Sequence, residues 1–407
     1  MRELISVEDA RFIILDAVAR GPVETVRLQD AQGRTLAESV HSKRDLPPFD
    51  NSAVDGYAVR AKDLTDAPAS LRVVGKGQAG AEPTYEITPG TCAEIMTGAP
   101  LPAGADAVAP VEWTEPVDED QVRIRRALVP GRYVRSAGKD IRAGDQAVEA
   151  GTAVTPPVVG MLAMVGAAKV PVHAVPSVAV IATGDELVEV DETPGPGQIR
   201  NANAPALAAQ VRSAGGCVHG VYLARDDKAD VRRVIEAARE ADVLVFSGGV
   251  SVGVYDYVKQ VLDAMGMELL FWKVRQRPGK PLAFGLLDGT PVFGLPGNPV
   301  SSAMCFEQHV RPALAKMLGR KALLRPRHPA VLSADTPKVE GLHYFARGVA
   351  EFGKGRKLYV RDTGPQASNL YSSVVKANCI IHLPAGLRDP APGTEVEIEW
   401  LHWARGT

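Results

Sequence analysis

Cysteine is scarce in this chain: the four residues Cys92, Cys217, Cys305 and Cys379 lie far apart in 407 positions, and none falls in a Cys-x-x-Cys pair. That spacing excludes a zinc ribbon and a disulfide framework, and leaves burial as their expected role. Long hydrophobic runs are missing too. The longest apolar stretch, near 158–172, is interrupted by Gly and Lys, and residues 1–10 are polar and charged, so neither a membrane span nor a secretory signal is encoded. A soluble, cytoplasmic protein is expected. No excess of one charge exists, since 46 Lys and Arg nearly cancel 48 Asp and Glu. With no basic stripe interleaved with aromatics, nucleic acid is not an expected partner. The eight histidines are scattered without metal-ligand spacing, and a Walker A loop, a nucleophile elbow and the kinase motifs are all absent. Covalent catalysis is therefore not indicated.

The length exceeds the roughly 250–300 residues at which a single core stops growing, so several domains are expected. Residues 7–18 carry apolar side chains at helical spacing behind Ser6, a predicted N-cap, and Pro22 ends that helix. Short alternating runs fill 25–40. From Tyr57 to Val134 short strands alternate with Gly, Pro and Asp clusters, the pattern of a compact β-rich domain. Residues 141–172 are predicted to return and pair with 25–40. At Val178 the rhythm changes to strand, loop and helix in alternation, with strands at 178–181, 218–222 and 243–246 and helices near 203–214, 229–238 and 300–318. This pattern predicts a parallel, doubly wound sheet. A charged, proline-containing linker at 321–329 leads to a second set of short strands. The expected fold class is α/β plus β, with an N-terminal helix (1–21) on the α/β domain, a connecting domain (22–40 and 141–175), a β-rich domain (41–140), the α/β domain (176–320) and a C-terminal β-domain (325–407).

Polar loops follow several of the α/β strands. The apolar run 243–246 feeds Ser247-Gly-Gly-Val-Ser-Val-Gly253 and then Asp256; Gly248, Gly249 and Gly253 allow backbone N–H groups to face an anion, and Ser247 and Ser251 add hydroxyls. Thr183-Gly-Asp-Glu186, Pro278-Gly-Lys-Pro281 and Pro296-Gly-Asn-Pro-Val-Ser301 stand at similar junctions. Open α/β sheets bind ligands where such loops gather. Asp185, Glu186, Asp226, Asp227 and Asp256 follow strand ends, and converging carboxylates suit Mg²⁺, which takes one or two protein oxygens plus ligand phosphates. An Asp in that place also serves as a helix N-cap, so Asp226 and Asp227 are equally open to either role; Asp185 is expected to serve the backbone and Glu186 the ligand. Lys280 and Arg277 flank a rigid turn and offer two cations to an oxyanion. The polar loop Phe49-Asp-Asn-Ser-Ala-Val-Asp-Gly-Tyr-Ala58 reads either as nested turns or as a cover over a site in another domain or subunit.

Seven motifs in order resemble the molybdopterin molybdenumtransferase family, which includes MoeA and the gephyrin E-domain. They are 49–59, Ile95-Met-Thr-Gly-Ala-Pro100, Gly138-Lys-Asp-Ile141, Thr183-Gly-Asp-Glu-Leu187, 247–253 with Asp256-Tyr257, Pro278-Gly-Lys-Pro281 and Gly294-Leu-Pro-Gly-Asn-Pro-Val-Ser301. The resemblance implies an elongated four-domain homodimer whose α/β domain is similar to molybdopterin adenylyltransferases. It implies insertion of molybdate into adenylylated molybdopterin with release of AMP, aided by Mg²⁺, in a cleft between the α/β domain and the β-rich domain of a partner subunit.

Carried over by motif, Glu186, Asp226 and Asp256 would hold the metal, and Asp55, Thr97 and Asp140 would face the cleft from the β-rich side. Lys280, Ser251, Ser301, Arg347 and Ser368 would hold molybdate, with Arg277, Pro281, Pro296, Asn298, Thr183, Ser247, Gly248 and Gly249 completing the substrate site. Asp55, Asp140, Asp226, Asp256 and Lys280 would be the catalytic set. Two departures stand out: Arg277 replaces the family's usual Lys, and Gln366-Ala-Ser368 replaces Gln-Gly-Ser. Candidate partners are a molybdopterin adenylyltransferase and maturation factors of molybdoenzymes. The alternatives are an adenylyltransferase, distinguished by ATP consumption, and a gephyrin-like scaffold; tungsten in place of molybdenum is known in the broader family.

Overall fold

The computed structural model describes residues 2–249, 257–401 and 403. Its centre is a seven-stranded sheet in the order Arg2–Ile5, Glu268–Val274, Ala283–Leu287, Thr290–Leu295, Val243–Ser247, Ser177–Thr183 and Cys217–Ala224. Ser177–Thr183 alternates between two cores. Val178, Val180 and Ala182 pack with Leu207 and Val211 of helix Asn203–Ala214, while Ala179 and Ile181 pack on the other face with Val231, Val234 and Ile235 of helix Lys228–Ala237. A strand buried on both faces reads as an unbroken apolar run, because successive side chains point to opposite sides. Each such Val or Ile contributes about 1.5–3 kcal/mol on burial.

The sheet is not wholly parallel. Ala283–Leu287 runs against both neighbours, while the other pairings are parallel. This reversal matters for the site, because the entrance of an antiparallel strand lies beside the carboxyl ends of the parallel ones. The edge strand Arg2–Ile5, paired with Glu268–Val274, was not anticipated from its polar sequence. It is short and largely exposed, so it carries no hydrophobic pattern to read. Behind it, Ser6 caps helix Val7–Ala17 by accepting the Asp9 N–H, and Val7, Ala10 and Ile14 enter the main core. The expected helix at 300–318 is present with a π-turn, Phe306–Val310, between Pro299–Cys305 and Arg311–Met317.

Outside this unit, Val23–Arg27 pairs antiparallel with Lys169–His173, and Val40–His41 with Gln146–Val148, so the chain leaves and returns through one small connector. The excursion forms a six-stranded sheet in the order Ala107–Pro110, Gly56–Val59, Thr91–Ile95, Ala69–Gly77, Gln121–Ile124 and Thr114–Asp118. The C-terminal strands close on themselves: His343–Phe352 pairs with both Leu358–Asp362 and Cys379–Leu383, and those two are joined round the other side through Arg327–Leu332 and Glu395–Trp400. Closure removes the free edges that an open sheet would expose. One further strand joins from the α/β unit: Gln276–Arg277 pairs with His343–Tyr344. Among the described residues no helix is long and apolar enough to cross a membrane.

Candidate functional site

Ser177–Thr183 sends its chain outward to Cys217–Ala224 on one side, and the next strand, Val243–Ser247, lies on the other. Strand order therefore reverses between Thr183 and Ser247, which opens a crevice at their carboxyl ends. A cavity of about 680 Å³ occupies that place. Thr183, Ser247, Gly248 and Gly249 form its floor. Gly248 and Gly249 have φ of +101° and +65°, and a Cβ on Gly249 would fall 2.4 Å from Val258 Cγ2 and 2.9 Å from Thr183 Oγ1. Only glycine meets both demands, conformation and space. The Thr183 hydroxyl is buried without a hydrogen-bond partner, so a donor or acceptor from a ligand would satisfy it.

The acidic residues divide their work. Asp227 caps helix Lys228–Ala237, its Oδ1 accepting the N–H groups of Ala229 and Asp230 at 2.9 and 3.0 Å. Asp185 Oδ1 accepts the Asp226 N–H at 3.1 Å. Glu186 and Asp226 line the cavity. Burial first, then the neighbouring charges of Asp185 and Glu186, raise the Asp226 carboxyl above the usual range. Carboxylates crowded in this way repel one another and attract a cation. Among the described residues no group of three His, Cys, Asp or Glu side chains forms a metal cage. Ser251 and Asp256 lie outside the described residues.

Pro281, Pro296 and Asn298 complete one wall of the cavity. Asn298 takes the N-cap position of Pro299–Cys305 but its side chain makes no capping bond, and Ser301 is buried just behind it. Two residues that the sequence reading missed hold this wall. Asn203 donates its amide to Ser247 Oγ at 2.9 Å and to the Gly297 carbonyl at 2.6 Å, tying two loops together, and Asn201 also lines the cavity. Their signal was the pair Asn201-Ala-Asn203 at the start of a helix, where a cap was the ordinary explanation.

The turn that carries Lys280 begins in the C-terminal sheet at Gln276–Arg277 and ends in the α/β sheet at Ala283–Leu287. Because Ala283–Leu287 is antiparallel, the turn reaches the cavity's edge: Pro281 lines it, and Lys280 is exposed beside it. Arg277 points elsewhere. It lines a second cavity of about 800 Å³, donates to the Tyr344 hydroxyl at 3.2 Å and stacks over that ring. Arg347 is buried, its Nε donating to Ser373 Oγ at 3.0 Å and its Nη2 to the Ala367 carbonyl at 3.3 Å. Burial, with the charge of Arg277 adding to it, lowers its guanidinium to about 10. The loop it braces meets the α/β unit: the Ser368 carbonyl accepts the Val300 N–H at 3.2 Å, and Asn369 lines the cavity.

Asp55, Thr97 and Asp140 do not line this cavity. Asp55 Oδ1 accepts the Thr97 N–H at 2.7 Å and the Thr97 hydroxyl at 2.9 Å, and these bonds hold its carboxyl below the usual range. Asp140 is exposed in a turn closed by its own N–H on the Leu46 carbonyl at 2.9 Å. Asp50 Oδ1 accepts the Ala137 N–H at 2.8 Å, so the 49–58 loop is tied to the segment that leads to Asp140.

Three family descriptions match in order: the MoeA N-terminal region (domain I and II) over residues 5–166, a probable molybdopterin binding domain over 179–316, and the MoeA C-terminal region (domain IV) over 329–401. Molybdopterin molybdenumtransferase 2 of Mycobacterium tuberculosis (strain H37Rv) is 37% identical over 405 residues, covering 97% of this chain and 98% of its own. The Bacillus subtilis molybdopterin molybdenumtransferase is 35% identical over 416 residues, covering 100% and 96%. Among solved structures, a molybdopterin biosynthesis moeA protein from Pyrococcus horikoshii OT3 superposes with a TM-score of 0.84 at 30% identity, over 98% of this chain and 100% of that one. With the matches spanning the chain from end to end, it belongs to the molybdopterin molybdenumtransferase (MoeA) family.

Proposed function

We propose that this protein inserts molybdate into adenylylated molybdopterin, releasing AMP and forming molybdenum cofactor. The observation that carries the reading is the cavity between Thr183 and Ser247, which combines a glycine floor, an unpartnered hydroxyl, two carboxylates and an adjacent lysine turn. Gly248 and Gly249 bring backbone close to a phosphate, and Asn203 fixes the Ser247 hydroxyl that faces it. The curated relatives are named for molybdenum transfer to molybdopterin.

Glu186 and Asp226 fit Mg²⁺: they are oxygen donors, few in number, and among the described residues neither forms an ion pair. Asp256 would join them. When bound, the ion would neutralise phosphate charge as the anhydride breaks. The chain's own groups do the positioning. Lys280 and the buried Ser301 hold molybdate near the dithiolene, and Arg347 fixes the 366–371 loop against the start of Pro299–Cys305. With molybdate held in place, water cleaves the anhydride to give AMP and the molybdopterin phosphate, and the two dithiolene sulfurs displace one molybdate oxygen, which takes the two thiol protons and leaves as water. Asp55, Thr97 and Asp140, remote from the cavity of their own chain, would enter the cleft of a second copy in a homodimer.

AMP release from adenylylated molybdopterin, measured with Mg²⁺ and with or without molybdate, tests this reading. Release that depends on molybdate and falls about 10²-fold or more in Asp256→Asn and Lys280→Ala is expected. Consumption of ATP without AMP release from the adenylylated substrate would replace insertion by adenylyl transfer.

A further inference from the structure

A second cationic hollow lies away from the crevice, where the α/β unit meets the C-terminal barrel. Its volume is about 220 Å³, room for a tetrahedral oxyanion and a few waters. Arg311 and Arg320 reach it from the end of the α/β unit, Arg325 from the linker, and His328 and Trp400 from the barrel. Among the described residues one carboxylate pairs directly with this group. Glu307, with its side chain 1% exposed, pairs with Arg325 Nη2 at 2.6 Å through Oε2, and its Oε1 accepts the Gln210 amide at 2.9 Å. Arg311 Nε is left 3.7 Å from the same Oε2, too far for a hydrogen bond, and is buried without a partner.

Arg320 is the second under-satisfied cation. Among the described residues its guanidinium forms no hydrogen bond or ion pair; it lies over Gly215, where a Cβ would fall 2.5 Å from Nη2. That place is the carboxyl end of helix Asn203–Ala214, whose dipole offsets part of one charge. Burial lowers both Arg311 and Arg320, and Arg325 and Arg320 add their charge against Arg311. Three guanidinium groups against one bonded carboxylate, with the charge of Glu399 also acting on Arg311, leave an excess of positive charge in a partly desolvated hollow. Such an arrangement is costly when empty and favourable when filled by an anion.

We propose that the hollow between Arg311, Arg320 and Arg325 is a binding site for a doubly charged tetrahedral oxyanion of the phosphate class, which braces the barrel against the α/β unit. Guanidinium groups match such an oxyanion through paired N–H donors. The site is separate from the molybdate-binding residues, so it does not rest on the proposed reaction.

Isothermal titration with inorganic phosphate, at constant ionic strength in chloride, tests it in the full-length protein. Arg320→Met keeps the aliphatic packing over Gly215 and removes the charge; Lys280→Ala serves as the control for binding in the crevice. The expected result is a phosphate site in the wild type and in Lys280→Ala that is lost in Arg320→Met. The same variant should unfold at a temperature no lower than wild type in phosphate-free buffer, yet gain nothing from phosphate, where wild type gains on the order of 2 °C at about tenfold Kd. AMP in place of phosphate separates a free ion from a phosphomonoester: binding that depends on Arg320 with either ligand supports the site and names its source. Phosphate binding unchanged in Arg320→Met, or no phosphate binding by wild type, overturns the proposal.

Discussion

The Gln276 side-chain amide donates to the Gly279 carbonyl at 3.1 Å, closing the turn that presents Lys280. Its other end is held as well, because Gln276 Oε1 accepts from His309 Nε2 at 2.8 Å. Burial, with Arg11 and His343 adding charge, keeps His309 far below its usual range, so the ring is neutral and this bond places its proton on Nε2. Gln276→Leu would leave the buried His309 N–H unpaired and the Gly279 carbonyl with only the Cys305 thiol at 3.7 Å, at about 1–3 kcal/mol. The expected outcome is a fall of that size in urea denaturation together with a raised KM for molybdate. An unchanged KM in a destabilised protein would make Gln276 a purely structural residue.

Asp226 stands beside Asp185 and Glu186, and its carboxyl is raised by burial and by their charge. Asp226→Asn removes the repulsion along with a proposed Mg²⁺ ligand. In metal-free buffer the variant is expected to melt no lower than wild type, while the stabilisation that Mg²⁺ gives wild type is lost or much reduced. Thermal melts across a Mg²⁺ titration check both halves.

The sequence carried more of this site than of its setting. Glu186 for the cavity and Asp185 for the backbone were readable because loop residues after a buried strand have few places to go, and the structure puts each there. Asp226 and Asp227 were indistinguishable in the sequence; the helix start settles it, since only Asp227 reaches the N–H groups of Ala229 and Asp230. Arg277 was grouped with Lys280 by adjacency, but pairing of Gln276–Arg277 with His343–Tyr344 turns it into a different cavity. A two-residue strand across a domain junction leaves no periodic trace. Asn203 left no trace beyond its place at a helix start, because the bonds it makes, to Ser247 and to the Gly297 carbonyl, join loops far apart in the sequence.

The proposed cleft draws on two copies of the chain. Asp55→Ala in one copy and Lys280→Ala in the other would then damage the same cleft of a mixed dimer, leaving the other intact. Each variant alone is expected to be nearly inactive, whereas an equal mixture, refolded together, should recover about a quarter of wild-type activity, since about half the dimers are mixed and each has one working cleft. No recovery in a mixture shown to contain mixed dimers would mean that Asp55 and Lys280 of one chain serve the same cleft.

The barrel face that packs on the α/β unit predicts the response to acid. His343 is buried against Phe345 and His382, its Nε2 lying 3.3 Å from His382 Nδ1. Burial lowers it to about 3, and the charges of Arg11, Arg327 and Lys338 act in the same direction as that of His382. His309 and His382 are lowered as well, chiefly by burial. An unfolded histidine titrates near 6.5, so between that pH and about 3 the unfolded chain binds a proton at position 343 that the folded chain refuses. Stability is therefore complete above about pH 6.5 and falls as pH drops, by up to about 1.4 kcal/mol per pH unit for each such histidine. His343→Gln keeps a polar partner for His382 and removes one titrating group. Its denaturation free energy, measured from pH 7 to 5, is expected to slope less steeply than that of wild type by about one proton; an identical slope would mean that His343 is protonated in the folded barrel.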